Sequence, residues 1–187
     1  MIGQLHNVID GAWLVIAVIW LLGSLTNKPA VQVQSIHSRV LQAIPVMGAF
    51  FLLFDRDTAV GPLAWWFVPS DLAWRYLGAA LTVAGIAVAI GARFFLGRNW
   101  SAMVTVKRDH RLVRLGPYRL VRHPIYSGLL LALLGTAIYQ RQVRGLLAVA
   151  LALAAWKIKS LQEESFMLEQ FGGEYARYRQ EVKGLIP

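Results

Sequence analysis

Apolar residues do not scatter along this chain. They lie in long runs, each able to cross a hydrocarbon layer about 30 Å thick. Five runs read as membrane-spanning helices: Val8–Leu25, Val40–Phe54, Leu72–Phe95, Ile125–Tyr139 and Val143–Trp156. Only the Gln140–Gln142 link separates the last two, so they form an antiparallel hairpin. The first run is too long for a signal-peptide core, with no basic residues ahead of it and no small-residue cleavage pattern behind it, and it reads as a retained helix. The pattern predicts an all-α fold, a polytopic membrane helix bundle of about five spans with a cytosolic loop and a C-terminal helical tail. It divides at 1–95, which carries the first three spans, and 96–187, which carries the loop, the last two spans and the tail.

Smaller features refine this picture. Pro45 removes a backbone hydrogen bond within the second span, which either opens a gap between helices for a lipophilic ligand or is absorbed by ordinary bundle packing. Gly78, Gly85 and Gly91 in the third span are expected at close helix contacts. The segment Pro62–Pro69, with Trp65 and Trp66, reads as interfacial, where amphipathic rings prefer to sit.

Composition supports the membrane reading. Of 187 residues 57% are apolar and 16% charged, and the mean hydropathy is +0.50. A soluble domain carries about a quarter charged residues. With no cysteine there is no disulfide framework, thiolate metal site or cysteine nucleophile. The net charge of +9 raises the question of nucleic acid, and its distribution answers it. Seven of nineteen Lys and Arg fall between Arg98 and Arg122 and five between Lys157 and Lys183, both stretches flanking spans. Such residues signal orientation and attract anionic membrane lipids. Aromatics interleaved with basic residues, which would favour nucleic acid, are missing.

Placing the Arg98–Arg122 loop in the cytosol fixes the remainder by alternation. The N-terminus and Asp55–Asp71 are then outside, and Asn27–Arg39 and the tail inside. Fourteen Lys and Arg lie on the inner side. Outside are Arg56, Arg75, Arg141 and Arg144, with Arg93 in the last turn of the third span. This obeys the positive-inside rule, although Arg141 and Arg144 run against it.

Two polar stretches are candidates for chemistry. The first includes Asp109-His-Arg-Leu-Val113 and Gly116-Pro-Tyr-Arg-Leu-Val-Arg-His-Pro-Ile-Tyr-Ser-Gly128. Gly116-Pro117 signals a turn, and Pro124 biases His123 away from helical dihedrals while suiting the first helical position. The free N–H groups of that helix start, beside Arg122 and His123, could hold an anion such as a methionine carboxylate, with Tyr126 closing over it. Equally, the segment could be an interfacial anchor whose arginines meet lipid phosphate. The second stretch carries Lys159, Glu163 and Glu164 on the continuation of the fifth span. Lys159 and Glu163, four apart, share a helix face. There a carboxylate could accept ribose hydroxyls or favour a sulfonium, or the two could form a solvated surface pair, which is the commoner case. The four histidines lack ligand spacing, so no metal is expected, and Ser127 has no third partner for a nucleophilic triad.

Taken together, His110-x-Leu-Val, Gly-x-Tyr118, Arg-His-Pro-x-Tyr126, Glu163-Glu164 and Phe-Gly-x-Glu-Tyr175 resemble the isoprenylcysteine carboxyl methyltransferase family in its short five-span form, over Leu96 to Pro187. The resemblance implies S-adenosylmethionine bound at the cytosolic interface by His110, Arg111, Leu112, Val113, Tyr118, His123, Pro124, Ile125, Tyr126, Glu163 and Glu164. It also implies a lipophilic acceptor, such as an isoprenylcysteine carboxylate, reaching the same point from the bilayer. Lys159 falls where the family uses a basic residue, commonly arginine, to hold substrate, and lysine lacks arginine's bidentate fork. Phospholipid N-methyltransferases share the Arg-His-Pro region and paired glutamates. Sterol reductases share Arg-His-Pro but have Trp where this chain has Tyr175, and they use a nicotinamide cofactor. The Glu-Glu pair favours methyl transfer. A carboxylate nucleophile needs no general base, so positioning suffices and no catalytic residue is assigned. A non-catalytic lipid-binding membrane protein is the alternative outside enzymes.

Overall fold

The computed structural model describes residues 2–24, 30–33, 36–97, 105–107 and 112–185. Its long helices follow the apolar runs: α1 (Ile2–Ser24), α2 (Ile36–Phe54), α3 (Leu72–Leu96), α4 (Pro124–Gln140) and α5 (Val143–Phe171), with a short α6 (Gly173–Glu181) after them. The expected helical bundle is therefore present. Stretches Gly3–Ser24, Leu72–Leu96 and Val143–Phe171 are long and apolar enough to cross a membrane, while Val40–Phe54 and Pro124–Gln140 are shorter apolar helices. At 1.5 Å per residue α4 is about 25 Å long, close to the hydrocarbon thickness. The protein is an integral membrane protein. Its outer surface agrees: Leu14 and Met47 are 65% and 68% exposed, amid many similar side chains on α1 and α2. That much apolar surface is stable only against lipid.

Two helix starts differ from expectation. Helices α1 and α2 begin earlier than the apolar runs, at Ile2 and Ile36. As expected for the continuation of the fifth span, helix α5 runs past Trp156 to Phe171, because Lys, Gln, Glu, Met and Leu favour helix although hydropathy falls. Gly172, at φ +50°, then ends it in a backbone region open to glycine.

One apolar cluster joins all five long helices, including Ile9 and Trp13, Leu53, Ala89, Leu133, and Ala148 with Trp156. Within it α3 and α4 pack most closely. A Cβ on Gly78 would lie 2.6 Å from the Gly135 carbonyl oxygen, and one on Gly85 would lie 2.5 Å from that of Gly128. Lipid tails are as apolar as leucine, so such backbone proximity replaces the hydrophobic effect in holding spans together. Gly91 faces open space and takes no part. Beside the glycines, Trp13 Nε1 donates to Thr136 Oγ1 (3.0 Å), which lies 3.2 Å from Thr82 Oγ1. The indole and the two hydroxyls are thus satisfied within the bundle.

Connections gather on two faces. On the loop face, β1 (Ala30–Val33) pairs antiparallel with β2 (Thr105–Lys107), joining the link after α1 to the loop after α3. This ribbon was not expected. On the hairpin face, Phe67 N donates to Arg141 O (3.0 Å) and Val143 N to Trp65 O (2.9 Å), tying the segment between α2 and α3 to the α4–α5 link. The connections therefore alternate between two ends of the bundle.

Candidate functional site

On the loop face the chain approaches α4 through a 3-10 turn, Gly116–Arg119. Gly116 has φ +58°, and a Cβ there would sit 2.5 Å from the Phe95 ring, so the turn needs glycine. His123 precedes the helix with φ −124° and ψ 58°, non-helical as Pro124 requires. The tail returns beside this segment. Arg122 N donates to Lys183 O (2.8 Å) and His123 N to Gly184 O (3.2 Å). Ser127 Oγ donates to the His123 carbonyl (3.1 Å) and to that of Leu185.

Two adjacent glutamates on α5 meet this corner in different ways. Glu164 is 4% exposed. Its Oε1 accepts from Arg122 Nη2 (2.7 Å) and Nε (3.1 Å) and lies 3.1 Å from His123 Nε2. Its Oε2 faces Arg179 Nε at 3.5 Å. Arg122 also donates to the carbonyls of Arg179 (3.1 Å) and Val182. Glu163 keeps 24% of its side chain exposed, with Oε2 3.4 Å from His123 Nδ1 and Oε1 accepting from Tyr126 Oη at 2.5 Å. Neither glutamate is a solvated surface residue. The anion beside Arg122 and His123, which the spacing allowed to be a ligand, is here Glu164 of the chain itself.

Electrostatics follow from these contacts. Burial opposes protonation of His123, but hydrogen bonds to Glu163 and Glu164 and their negative charge outweigh it, leaving the imidazole above its usual range. Tyr178, whose hydroxyl donates to Tyr118 O (2.6 Å), is pushed up to about 12, mainly by burial. Tyr118 is raised further, by burial first and then by the Glu163 charge.

Three rings lead from the polar cluster into the bundle. His123 stacks on Tyr126 (5.7 Å, 12°) and Tyr126 on Trp156 (5.9 Å, 6°). Lys159 Nζ lies 5.6 Å from the Tyr126 ring centre, so Lys159 and Glu163 share a face of α5 that looks onto Tyr126. The partly open Glu163 carboxylate, the Lys159 ammonium and the aromatic wall can together hold a ligand that is cationic at one point and anionic at another.

Of the residues expected at the site, His123, Tyr126, Glu163 and Glu164 come together directly. Tyr118, Ile125 and Val113 form an apolar patch beside them with Ala92. Pro124 and Ile125 are buried in the first turn of α4, and Leu112 lies half-buried ahead of the 3-10 turn. His110 and Arg111 lie outside the described residues. Trp156 and the tail carbonyls were not foreseen. Trp156 had a signal, since it precedes Glu163 by seven residues and shares its helix face. The carbonyls had none.

The geometry defines a polytopic helical membrane protein with a polar site where two spans leave the apolar layer. A family model described as phospholipid methyltransferase matches residues 74–174; the chain belongs to that family. It is 32% identical over 128 residues to a probable protein-S-isoprenylcysteine O-methyltransferase of Oryza sativa subsp. indica, covering 66% of this chain and 63% of the relative. Against protein-S-isoprenylcysteine O-methyltransferase B of Arabidopsis thaliana it is 30% identical, covering 66% of this chain and 60% of that one. Among solved structures it is similar to a eukaryotic intramembrane Ras methyltransferase, isoprenylcysteine carboxyl methyltransferase, with TM-score 0.57 and 27% identity over 78% of this chain and 51% of that one. The resemblance read in the motifs is borne out. The chain spans less than two thirds of the length of these relatives.

Proposed function

We propose that the protein is an S-adenosylmethionine-dependent methyltransferase. The acceptor is lipophilic, of the S-prenylated cysteine class, and is methylated on its carboxylate. One observation carries this reading: the start of α4 and the polar end of α5 meet in a single cluster, His123 Nδ1 lying 3.4 Å from Glu163 Oε2. Glu163 is the glutamate left partly open, whereas Glu164 is committed to Arg122 and His123. The names of the relatives support the reaction class.

The residues present fit the cofactor. Glu163 offers an acceptor for ribose hydroxyls and negative charge for a sulfonium. The Tyr118–Val113–Ile125 patch and Leu112 offer apolar walls; His110 and Arg111, which the family resemblance adds, lie outside the described residues. When bound, S-adenosylmethionine supplies a methyl group already activated on positively charged sulfur. The protein's part is positioning. His123 and Tyr126 hold Glu163 in place, Arg122 and Glu164 lock the tail over the corner, and Tyr126 with Trp156 excludes water from the bilayer side. Lys159 attracts the acceptor carboxylate as a point charge. That carboxylate is ionised at neutral pH, so no base is needed. The loop face is cytosolic and the N-terminus lies on the other side, by the asymmetry of basic residues.

The family model's own description favours a second acceptor, a phospholipid amine. Calorimetry with S-adenosylhomocysteine tests the enzyme reading. Wild type is expected to bind, and Glu163→Gln to bind about tenfold or more weakly while still unfolding cooperatively. No binding at millimolar ligand ends the proposal. Labelled methyl transfer to an S-prenylated cysteine with a free carboxylate, against phosphatidylethanolamine, separates the two acceptors.

A further inference from the structure

On the hairpin face, a helix length from His123, lies a cavity of about 790 Å³. It is bounded by the start of α1, the ends of α2 and α4 and the start of α5. Its volume falls in the range of ligand pockets, about 300–1,000 Å³. Arg75, Arg141 and Arg144 line it against one carboxylate, Asp10, which His6 already faces at 3.4 Å.

The three arginines are not equivalent. Arg144 is spent on structure: Nη1 donates to Leu52 O (3.1 Å), to Thr58 Oγ1 (2.9 Å) and to Asp55 O, and Nε to Gln142 Oε1 (2.7 Å). Arg75 lies over the Tyr139 ring at 5.4 Å. Arg141 is 6% exposed, yet its Nε and Nη1 have no hydrogen-bond acceptor among the described residues. Its guanidinium rests on the Trp66 ring at 4.4 Å. Arg141 also ends α4 in the left-handed region, at φ +67°, where glycine would be unstrained. An arginine is kept here at a local conformational cost, in the wall of a cationic cavity, with two of its nitrogens unsatisfied.

The geometry points to a binding site for the phosphodiester headgroup of a membrane lipid. Arg141 supplies a planar N–H fork that matches phosphate oxygens, and Arg75 a second positive charge. Trp66, 64% exposed, with Ile9 and Phe54 forms the apolar flank that glycerol and the first acyl carbons need. A tethered phosphate fits better than a free one because the cavity opens where spans leave the apolar layer beside this tryptophan. The site accounts for Arg141 as an exception to the charge asymmetry of the chain, and it does not rest on the methyl-transfer reading.

The full-length protein in detergent is titrated with phosphatidylglycerol, with a phosphate-free glucosyl diacylglycerol of the same acyl chains, and with inorganic phosphate, following the thermal unfolding midpoint. Phosphatidylglycerol is expected to raise the wild-type midpoint, and Arg141→Gln to need about tenfold more of it for half the shift. The difference between the two proteins isolates this cavity from the basic segment on the loop face. Identical titrations of wild type and Arg141→Gln overturn the proposal, as does glucosyl lipid or inorganic phosphate acting as well as phosphatidylglycerol. Should Arg141→Gln fail to fold, Arg141→Lys and Arg75→Gln replace it; weakening in either supports the site, and unchanged titration in both sinks it.

Discussion

The two ends of the α4–α5 pair are built from the same materials and behave as opposites. At the loop face, Arg122 and His123 come out of water onto carboxylates, Glu164 and Glu163, so positive and negative charge are matched within one corner. At the hairpin face, Arg141 and Arg144 come out of water onto a Trp ring and onto neutral carbonyl, amide and hydroxyl oxygens. The first end is a closed electrostatic unit that holds the tail in place. The second keeps its positive charge and can attract an anion. The difference lies in what the neighbouring helix offers, because a buried charge is tolerable only in the company it finds.

Breaking the loop-face unit should have the largest effect. Glu164→Ala leaves Arg122 and His123 buried with one counter-charge fewer, and losing one partner of a buried pair costs about 3–5 kcal/mol. The expected result is a marked fall in the thermal midpoint, with earlier proteolytic cleavage beyond Phe171. At the other end, Arg144→Ala removes hydrogen bonds to neutral acceptors. A smaller loss of about 2 kcal/mol is expected in the same unfolding assay, and the tail should stay protected. An effect as large as that of Glu164→Ala would erase the contrast.

The smallest effect separates the ends by pH. His123 is held above its ordinary value of about 6.5, so its contribution is complete below that value and fades as pH climbs through the raised one. The midpoint should therefore decline from pH 6 towards pH 9, and His123→Gln should flatten the decline. An unchanged slope in that variant would place the titration elsewhere.

Much of this architecture could be read before any coordinates. The spans follow from hydropathy, the non-helical His123 from the proline after it, and the common face of Lys159 and Glu163 from their spacing. Gly78 and Gly85 meet α4 as small residues in spans tend to do, but Gly91 does not, since facing depends on how the helix is rotated against its neighbours. The division of labour between Glu163 and Glu164 was not legible either. Adjacent residues point about 100° apart on a helix, and which of the two is buried depends on where α4 and the tail lie.

Residue type and order were enough to settle the helices, their alternation across the layer, the non-helical approach to α4 and the common face of Lys159 and Glu163. These are local properties, set by hydrophobic length, backbone preference and helical period. The arrival of the tail carbonyls beside Arg122, the short ribbon between two links and the unsatisfied guanidinium of Arg141 emerged only on folding. Each depends on groups far apart in the chain, and no local pattern records how segments without strong periodicity meet in space.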